Sequence, residues 1–189
     1  RPRRGRMGTV IIRWLAYRAP HASKRTAAMT PTLKPPVRKV AIVTGSATGV
    51  GAAAALMLAE RGCNVVINYT RSKAEAEETA RACEAAGAET ITFQGDVSED
   101  ASCQAMAQAA VGKWGRIDYL INNAAKTKFN PYENLDGLSA DDFLAIYKVN
   151  VVGAYQMVRA VAPHMRKVGR GAIVNNSSIA GLRGMNRLS

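Results

Sequence analysis

The sequence predicts a doubly wound α/β fold, in which helices cover both faces of a parallel sheet. From Lys39 onward, five short β-branched runs alternate with helical segments of ten or more residues. Segments of that length are what crossover connections between parallel strands require. A glycine-rich turn also separates the first run from the first helix, which is typical of folds that bind ligands at the carboxyl ends of their strands. We therefore expect three layers, α/β/α.

The predicted strands are apolar runs that end at glycine or at polar residues. They comprise residues 39–44, 64–69, 89–94, 117–122 and 171–177. The helices between them are predicted over residues 50–62, 72–86, 98–115 and 139–168. The first helix is apolar on nearly every face, which predicts a packed position. Gly62 and Gly87 end the first two helices.

Serine and acidic residues mark where the later helices begin. The three sets are Ser72 with Glu75, Ser98 with both Glu99 and Asp100, and Ser139 with Asp142. The first is a capping box, in which serine and acid side chains bond reciprocally to backbone N–H groups. The second places acids in the first turn, where they complement the helix dipole. The third predicts the start of a single long helix that ends near Val168.

The basic charge is concentrated at the amino-terminal end. The formal charge is +12, yet residues 1–40 hold eleven Lys or Arg and no acid, while residues 41–189 hold fifteen bases and fourteen acids. The nearly neutral body argues against a nucleic-acid-binding fold. We therefore expect residues 1–36 to form a disordered basic arm, separate from a domain over residues 37–189.

Two interpretations of the arm remain open. It has the composition of an organelle transit peptide, or it is translated sequence upstream of a true start at Met29, which would leave the protein cytoplasmic. We favour the second. The apolar run at residues 10–17 is interrupted by Arg13 and is much shorter than the ~20 residues that span a bilayer. No membrane association is therefore expected.

The three cysteines do not indicate a metal site or a disulfide framework. Cys63, Cys83 and Cys103 are odd in number and widely spaced, with no paired cysteines and few histidines nearby. We expect them to be small buried residues in a reducing compartment.

The turn TGSATGVG, residues 44–51, has the composition of a diphosphate-binding loop. Gly45 permits a sharp turn, Gly49 permits close approach of the backbone to a pyrophosphate, and Gly51 permits the helix to pack near the strand. Free amides and the helix dipole favour phosphate at such a position. The residues expected to contact the cofactor here are Gly45, Ser46, Ala47, Thr48, Gly49, Val50 and Gly51.

The motifs in residues 37–189 resemble those of the short-chain dehydrogenase/reductase family, which has a Rossmann-like fold. They are Thr-Gly-x-x-x-Gly-x-Gly, GDV (95–97), NNAA (122–125), Asn150 in VNVVGA, and IVNNSSIAG (173–181). The phrases NYTRSKAEAEE, FQGDVS and NNSSIAGLRG are most similar to β-ketoacyl-acyl-carrier-protein reductases and their bacterial relatives. Ala125 departs from the family pattern, which usually has glycine; its methyl group is expected to be tolerated, with crowding of the adenosine side as the alternative.

The resemblance implies further cofactor contacts. Asp96 would accept a hydrogen bond from the adenine amino group, and Val97 would contact the ring. Asn123 and Ala124 would line the ribose on the nicotinamide side, next to Ala125. An alternative is that these residues form only a helix-capping turn and a polar loop turn.

The end of the second predicted strand favours NADP(H) over NAD(H). A carboxylate there would bind the ribose 2′-hydroxyl of NAD, whereas a 2′-phosphate requires a cation. The stretch NYTRS, residues 68–72, has no acid. We expect Arg71 to supply the cation, with packing from Tyr69 and a hydroxyl from Ser72.

The resemblance assigns Ser178 as the catalytic serine that hydrogen-bonds the substrate carbonyl, and Asn150 as the residue that holds a water next to a catalytic lysine. The family's Tyr-x-x-x-Lys pair would begin roughly a dozen residues after Ser178, and the sequence ends at Ser189. Tyr132, Tyr147 and Tyr155 precede the serine and are not followed by lysine at that spacing. We therefore expect a fragment, truncated at the carboxyl-terminal edge of its sheet and nearly inactive.

The parent protein is expected to exchange a hydride between NADP(H) and a ketone, aldehyde or alcohol. An acyl-carrier-linked substrate is among the candidates, and no metal is required. Relatives commonly pair through the helix placed at residues 139–168, so the parent is expected to be a homo-oligomer. The alternative is a non-catalytic protein that binds a dinucleotide and senses redox state.

Overall fold

A computed structural model describes residues 37–131 and 133–178 of the chain. It contains one sheet of five parallel strands. The strands are β1 (Lys39–Val43), β2 (Cys63–Tyr69), β3 (Thr90–Gln94), β4 (Tyr119–Asn122) and β5 (Ala172–Asn175). The predicted basic arm, residues 1–36, lies outside the described residues.

The strand order β3-β2-β1-β4-β5 confirms the doubly wound fold. The chain builds outward from β1 in one direction and then returns to the other side of β1 at β4, so the order reverses between these strands. Val43 pairs with Ile67 of β2 and with Ile121 of β4, which brings the carboxyl ends of the three strands together. In open parallel sheets the crevice at such a reversal is where ligands bind.

Five α-helices pack against the sheet or connect its strands. They are α1 (Gly49–Glu60), α2 (Lys73–Ala85), α3 (Asp100–Trp114), α4 (Ala140–Tyr147) and α5 (Ala154–Val168). Helices α1 and α2 bury alanines such as Ala55 and Ala76 with one face of the sheet, while α3 and α5 bury Met106 and Met157 with the other. Small residues allow one face of α1 to pack closely, since its buried residues are Gly51, Ala55 and Ala59, whereas Val50 and Met57 on the same helix are exposed.

Two of the predicted helix starts differ from the structure. Ser72 stands at the N-cap of α2, but its side chain makes no capping hydrogen bond, so the predicted box with Glu75 is wrong. Helix α3 begins at Asp100, after Glu99 at the N-cap, and not at Ser98. The Ser98 N–H instead donates to Asp96 Oδ1 at 2.8 Å, so Ser98 belongs to the turn that precedes the helix.

The long helix predicted over residues 139–168 is interrupted. Its start is correct, because the hydroxyl of Ser139 accepts from the Asp142 N–H and the Asp142 carboxylate accepts from the Ser139 N–H. A π-helical turn, Lys148–Gly153, then separates α4 from α5. π-helical turns are rare in proteins, and those that occur often lie at functional sites. The interruption contains Asn150.

Within the described residues, no helix is both long and apolar enough to cross a bilayer. Strand β5 lies at the edge of the sheet, and all four of its residues are exposed.

Candidate dinucleotide-binding and active site

Asn68 holds the start of the glycine-rich turn in place. Gly45 has a φ of +61°, a conformation that glycine adopts without steric cost. The Gly45 N–H donates to Asn68 Oδ1 at 3.0 Å, and the Ser46 N–H donates to the Asn68 backbone carbonyl at 2.9 Å. The Asn68 amide group donates in turn to Gly95 O at 2.9 Å. One buried side chain therefore joins the turns that follow β1 and β3.

Ser46 and Ala47 are buried in the turn. The Ser46 hydroxyl donates to Val43 O at 2.7 Å and accepts from the Asn68 N–H at 3.0 Å. The Ala47 carbonyl accepts from the hydroxyl of Thr79 on α2 at 3.0 Å. These hydrogen bonds to β1, β2 and α2 hold the turn in a defined shape.

The other residues of the turn differ in exposure. Gly49 has a φ of +58° and open space where a Cβ atom would stand, which fits close approach of a ligand. Thr48 and Val50 flank it and are exposed. Gly51 is buried, and a Cβ atom there would meet Gly45 O and lie 2.5 Å from the side-chain nitrogen of Asn123. The close packing expected at Gly51 is therefore against the turn and the end of β4.

Thr44 and Asn123 connect the glycine-rich turn to the end of β4. The Thr44 hydroxyl accepts from the backbone N–H groups of Asn123 and Ala124 at 2.9 and 3.0 Å. The Asn123 amide group donates to the carbonyls of Thr44 and Gly45, each at 3.0 Å. Asn123 and Ala124 thus have well-defined positions at the topological reversal.

A cleft of about 470 Å³ opens above these turns. Its lining includes seven of the residues predicted to bind cofactor: Gly45, Arg71, Asp96, Val97, Asn123, Ala124 and Ala125. The other predicted cofactor-binding residues, which are Tyr69, Ser72 and the turn residues from Ser46 to Gly51, are not among its lining residues, and Tyr69 is buried. The cleft is also lined by Lys126 and by Lys148 of the π turn. Its size and its mixed polar and apolar lining suit an extended, partly polar ligand.

The wall formed by Asp96 and Val97 is held by two helices. The Val97 carbonyl accepts from the side chain of Gln156 on α5 at 2.7 Å and from the Cys103 thiol on α3 at 3.3 Å. Gly153 leaves room for Val97, since a Cβ atom on Gly153 would lie 2.7 Å from Val97 Cγ2. Asp96 uses one carboxylate oxygen for the Ser98 N–H, which leaves other lone pairs for a ligand.

The end of β2 carries a cation and no carboxylate. Arg71 lines this first cleft and also an adjoining depression beside Gln94 and Asp96. The Gln94 side chain donates to Thr70 O at 3.0 Å, which holds the loop before Arg71 against β3. Arg71 is exposed, so its side chain can meet an anionic substituent of a ligand in the cleft.

A second cleft, of about 460 Å³, contains the serines. Ser177 and Ser178 line it together with Asn150. The segment Asn123 to Ala125 lines both clefts, so a ligand in the first can extend into the second. The structure thus brings Ser178, Asn150 and the predicted ribose-binding residues to one place.

Asn150 directs its side chain to the backbone of Lys126. Its Oδ1 accepts from the Lys126 N–H at 2.8 Å, and its Nδ2 donates to Lys126 O at 3.0 Å. Both polar ends of the side chain are therefore engaged with the segment after β4. The predicted role in holding a water stays a prediction.

The described tyrosines do not place a phenol next to Ser178. Tyr147 and Tyr155 lie on α4 and α5, are exposed, and do not line the serine cleft. Tyr69 is followed by Lys73 at the spacing of a Tyr-x-x-x-Lys pair, but Tyr69 is the buried last residue of β2 and Lys73 begins α2. Tyr132 lies outside the described residues.

The cysteines are unsuited to nucleophilic chemistry. Burial, reinforced by the nearby charges of Asp100 and Asp96, raises the pKa of the Cys103 thiol to about 11. Burial likewise raises the pKa of Cys83 to about 11. All three thiols are free and buried, as expected. Among the described residues, no group of His, Cys, Asp and Glu could hold a metal ion.

Four residues of the site were not predicted from sequence: Thr44, Asn68, Lys126 and Asn176. Asn68 had a recognisable signal, because it is a polar residue inside the apolar run NVVINY and is 2% exposed. A buried amide must find hydrogen-bond partners, so a functional contact could have been expected there. The partners of the other three depend on contacts distant in sequence.

The fold and the clefts at its topological reversal define an α/β protein of the doubly wound class. Residues 39–189 match the short chain dehydrogenase family. The chain therefore belongs to the short-chain dehydrogenase family, which agrees with the resemblance seen in its motifs.

Individual relatives agree with this assignment. A 3-oxoacyl-[acyl-carrier-protein] reductase from Staphylococcus epidermidis is 35% identical over 148 residues, which cover 78% of this chain and 59% of that protein. A crystal structure of a short-chain dehydrogenase/reductase from Burkholderia phymatum in complex with NAD superposes with a TM-score of 0.73 and 35% identity, covering 80% of this chain and 53% of the other. NAD⁺-bound xylitol dehydrogenase gives a TM-score of 0.71 and 31% identity, covering 80% and 58%. The chain thus spans less than two thirds of these relatives.

Proposed function

We propose that the protein is an NADP(H)-dependent oxidoreductase that exchanges a hydride between the cofactor and a carbonyl or alcohol substrate. The observation that carries this proposal is the continuity of the two clefts along Asn123 to Ala125. An adenosine diphosphate portion fits the first cleft, beside the glycine-rich turn and Asp96. The nicotinamide portion would then reach the second cleft, where Ser178 lies.

The chain offers specific groups to each part of the cofactor. Amides of the glycine-rich turn and the start of α1 would face the diphosphate. Asp96 would accept from the adenine amino group, and Val97 would pack against the ring. The bound nicotinamide supplies or accepts the hydride. Ser178 would donate a hydrogen bond to the substrate oxygen, which stabilises negative charge that develops there.

Arg71 supports NADP(H) as the preferred cofactor. A guanidinium group can pair with a 2′-phosphate in two parallel hydrogen bonds, whereas NAD(H) carries only a hydroxyl at that position. The described end of β2 has no carboxylate for that hydroxyl. Two of the structurally similar proteins are described with NAD. For this protein we propose a different preference, for NADP(H).

Cofactor titration tests this preference. We expect NADPH to bind at least tenfold more tightly than NADH, equivalent to about 1.4 kcal/mol. Arg71→Ala should remove that difference by weakening NADPH alone. Arg81→Ala, which removes an exposed cation from α2, is the matched control and should change neither affinity. Tighter binding of NADH to the unsubstituted protein would contradict the NADP(H) assignment.

We further propose that turnover requires a general acid next to Ser178, a position that the described tyrosines do not fill. A missing general acid costs about 10²–10⁴ in rate. An extended reading frame that contains Tyr-x-x-x-Lys should reduce carbonyl substrates, including 3-oxoacyl thioesters, in a manner that depends on Ser178. Cofactor binding without turnover in that longer protein would instead favour a binding or redox-sensing role.

A second copy of the chain is the partner that the surface best supports. Helix α4, the π turn and the start of α5 expose large apolar side chains: Phe143, Leu144, Tyr147, Val151 and Tyr155. Apolar patches of this kind are typical of protein interfaces. Sedimentation should therefore detect a homo-oligomer of the longer protein, and Leu144→Glu should dissociate it. We retain a cytoplasmic location as part of the proposal.

A further inference from the structure

Two asparagine pairs stand side by side at the ends of β4 and β5. Asn122 and Asn123 follow one strand, while Asn175 and Asn176 follow the other. Because β4 and β5 are parallel and Asn122 pairs with Asn175, the next residues along each strand are also adjacent. The Asn176 N–H continues this pairing by donating to Asn122 O at 2.8 Å.

Two cross-strand contacts connect these asparagines, and the two contacts have different surroundings. The Asn122 side-chain nitrogen donates to Asn175 Oδ1 at 2.9 Å and to Ala154 O at 3.4 Å, towards α5. The Asn176 side-chain nitrogen donates to Asn123 Oδ1 at 3.0 Å. Successive side chains on a strand alternate between faces. The contact between Asn123 and Asn176 therefore lies away from α5, next to the glycine-rich turn.

Asn123 uses both ends of its amide. Its oxygen accepts from Asn176, and its nitrogen donates to the carbonyls of Thr44 and Gly45. Reversing the amide would place its oxygen against those two carbonyls, so its orientation is determined by the three contacts together. A continuous set of hydrogen bonds thus runs from β5 to the first residues of the turn.

We propose that Asn176 is a positioning residue for the cofactor site, acting on the glycine-rich turn through Asn123. This inference rests on the proposed function, because the turn is the expected diphosphate site. Ser177 and Ser178 directly follow Asn176, so the same contact sets the separation between the turn and the catalytic serine. It thereby aligns the two clefts that a dinucleotide must occupy together.

A double-mutant cycle on NADPH affinity tests the proposal. Leucine has the same branching and the same number of heavy atoms as asparagine but lacks its polar groups, so Asn176→Leu removes the hydrogen bond while keeping the shape of the side chain. We expect it to weaken NADPH binding about threefold to tenfold. Asn123→Ala should weaken binding at least as much, and the double variant should be no worse than Asn123→Ala alone. Val174→Ala, on the same strand, is the control and should leave affinity unchanged.

Hydrogen exchange in the absence of cofactor provides a second readout, which remains informative if Asn123→Ala does not fold. In Asn176→Leu, the amides of residues 44–51 should exchange faster than in the unsubstituted protein, while those of residues 63–69 should not change. Equal exchange at residues 44–51, unchanged NADPH affinity, or additive losses in the cycle would overturn the role of Asn176. Failure of the unsubstituted protein to bind NADPH would instead overturn the proposed function.

Discussion

Asn150 pairs with Lys126 through two hydrogen bonds, one in each direction, although the two residues are 24 positions apart. Asn150 lies in the π turn between α4 and α5. It fixes the backbone that directly follows Ala124 and Ala125, which line both clefts. A local irregularity in one helix therefore positions a loop at the centre of the site.

We expect Asn150→Ala to release that loop. The loss of two exposed hydrogen bonds should lower the free energy of unfolding by about 1 kcal/mol and should weaken NADPH binding. Asn150→Asp, which retains an acceptor for the Lys126 N–H, should have a smaller effect. Chemical denaturation and fluorescence titration measure the two quantities. Unchanged values in Asn150→Ala would show that the loop is held by other contacts.

Asn68→Ala should impair both folding and cofactor binding. It leaves the Gly45 N–H without its acceptor and the Gly95 carbonyl without its donor. We expect a loss of about 2–4 kcal/mol in the free energy of unfolding. The control is Asn64→Ala, on the same strand at its opposite end, where Asn64 accepts from the Glu89 N–H. That variant should be destabilised without a specific loss of NADPH affinity, so equal loss of affinity in both would contradict the prediction.

Gly45→Ala should cost more than Gly62→Ala. Both glycines have positive φ, so each alanine incurs about 1–2 kcal/mol of backbone strain. At Gly45 the added Cβ atom would also lie 2.9 Å from the Cα atom of Ala124, whereas at Gly62 it would meet nothing within 4 Å. Thermal unfolding of the two variants should therefore differ by more than the strain alone. Equal melting temperatures would show that the end of β4 can move away from the turn.

Asp118 should contribute to acid sensitivity. Burial raises the pKa of its carboxyl, but hydrogen bonds from Arg116 and the Val40 N–H outweigh burial and leave that pKa below its ordinary value. A carboxyl with a lowered pKa stabilises the fold above its unfolded value of about 3.9 and loses that contribution as the pH falls through the folded value. Asp118→Asn should be less stable at neutral pH and should show a flatter decline below about pH 4.

Denaturant titrations across that pH range test this prediction. Asp136→Asn, which changes an exposed carboxylate in the short 3₁₀ helix Leu135–Gly137, serves as the control and should keep the slope of the unsubstituted protein. A parallel decline in Asp118→Asn would show that other carboxylates dominate acid unfolding.

The sequence predicted the strands, the order of the motifs and the helix ends at Gly62, Gly87 and Gly115 because these features depend on neighbouring residues. Apolar runs bounded by glycine are local signals, and each of those glycines has positive φ in the structure. The capping box of Ser139 and Asp142 is local in the same sense and was predicted correctly. At Ser72 the same pattern failed, because a capping bond also depends on the backbone geometry before the helix.

Sequence alone therefore determined the doubly wound fold and the place of the glycine-rich turn, since periodic burial and left-handed glycines are properties of short segments. Only the tertiary structure decided how the site is held together. The contacts of Asn68 with Gly45, of Asn123 with Asn176 and of Asn150 with Lys126 join residues that are 23 to 53 positions apart. Such pairs exist only once the strands have set their register, because a side-chain hydrogen bond requires its two atoms to approach within about 3 Å.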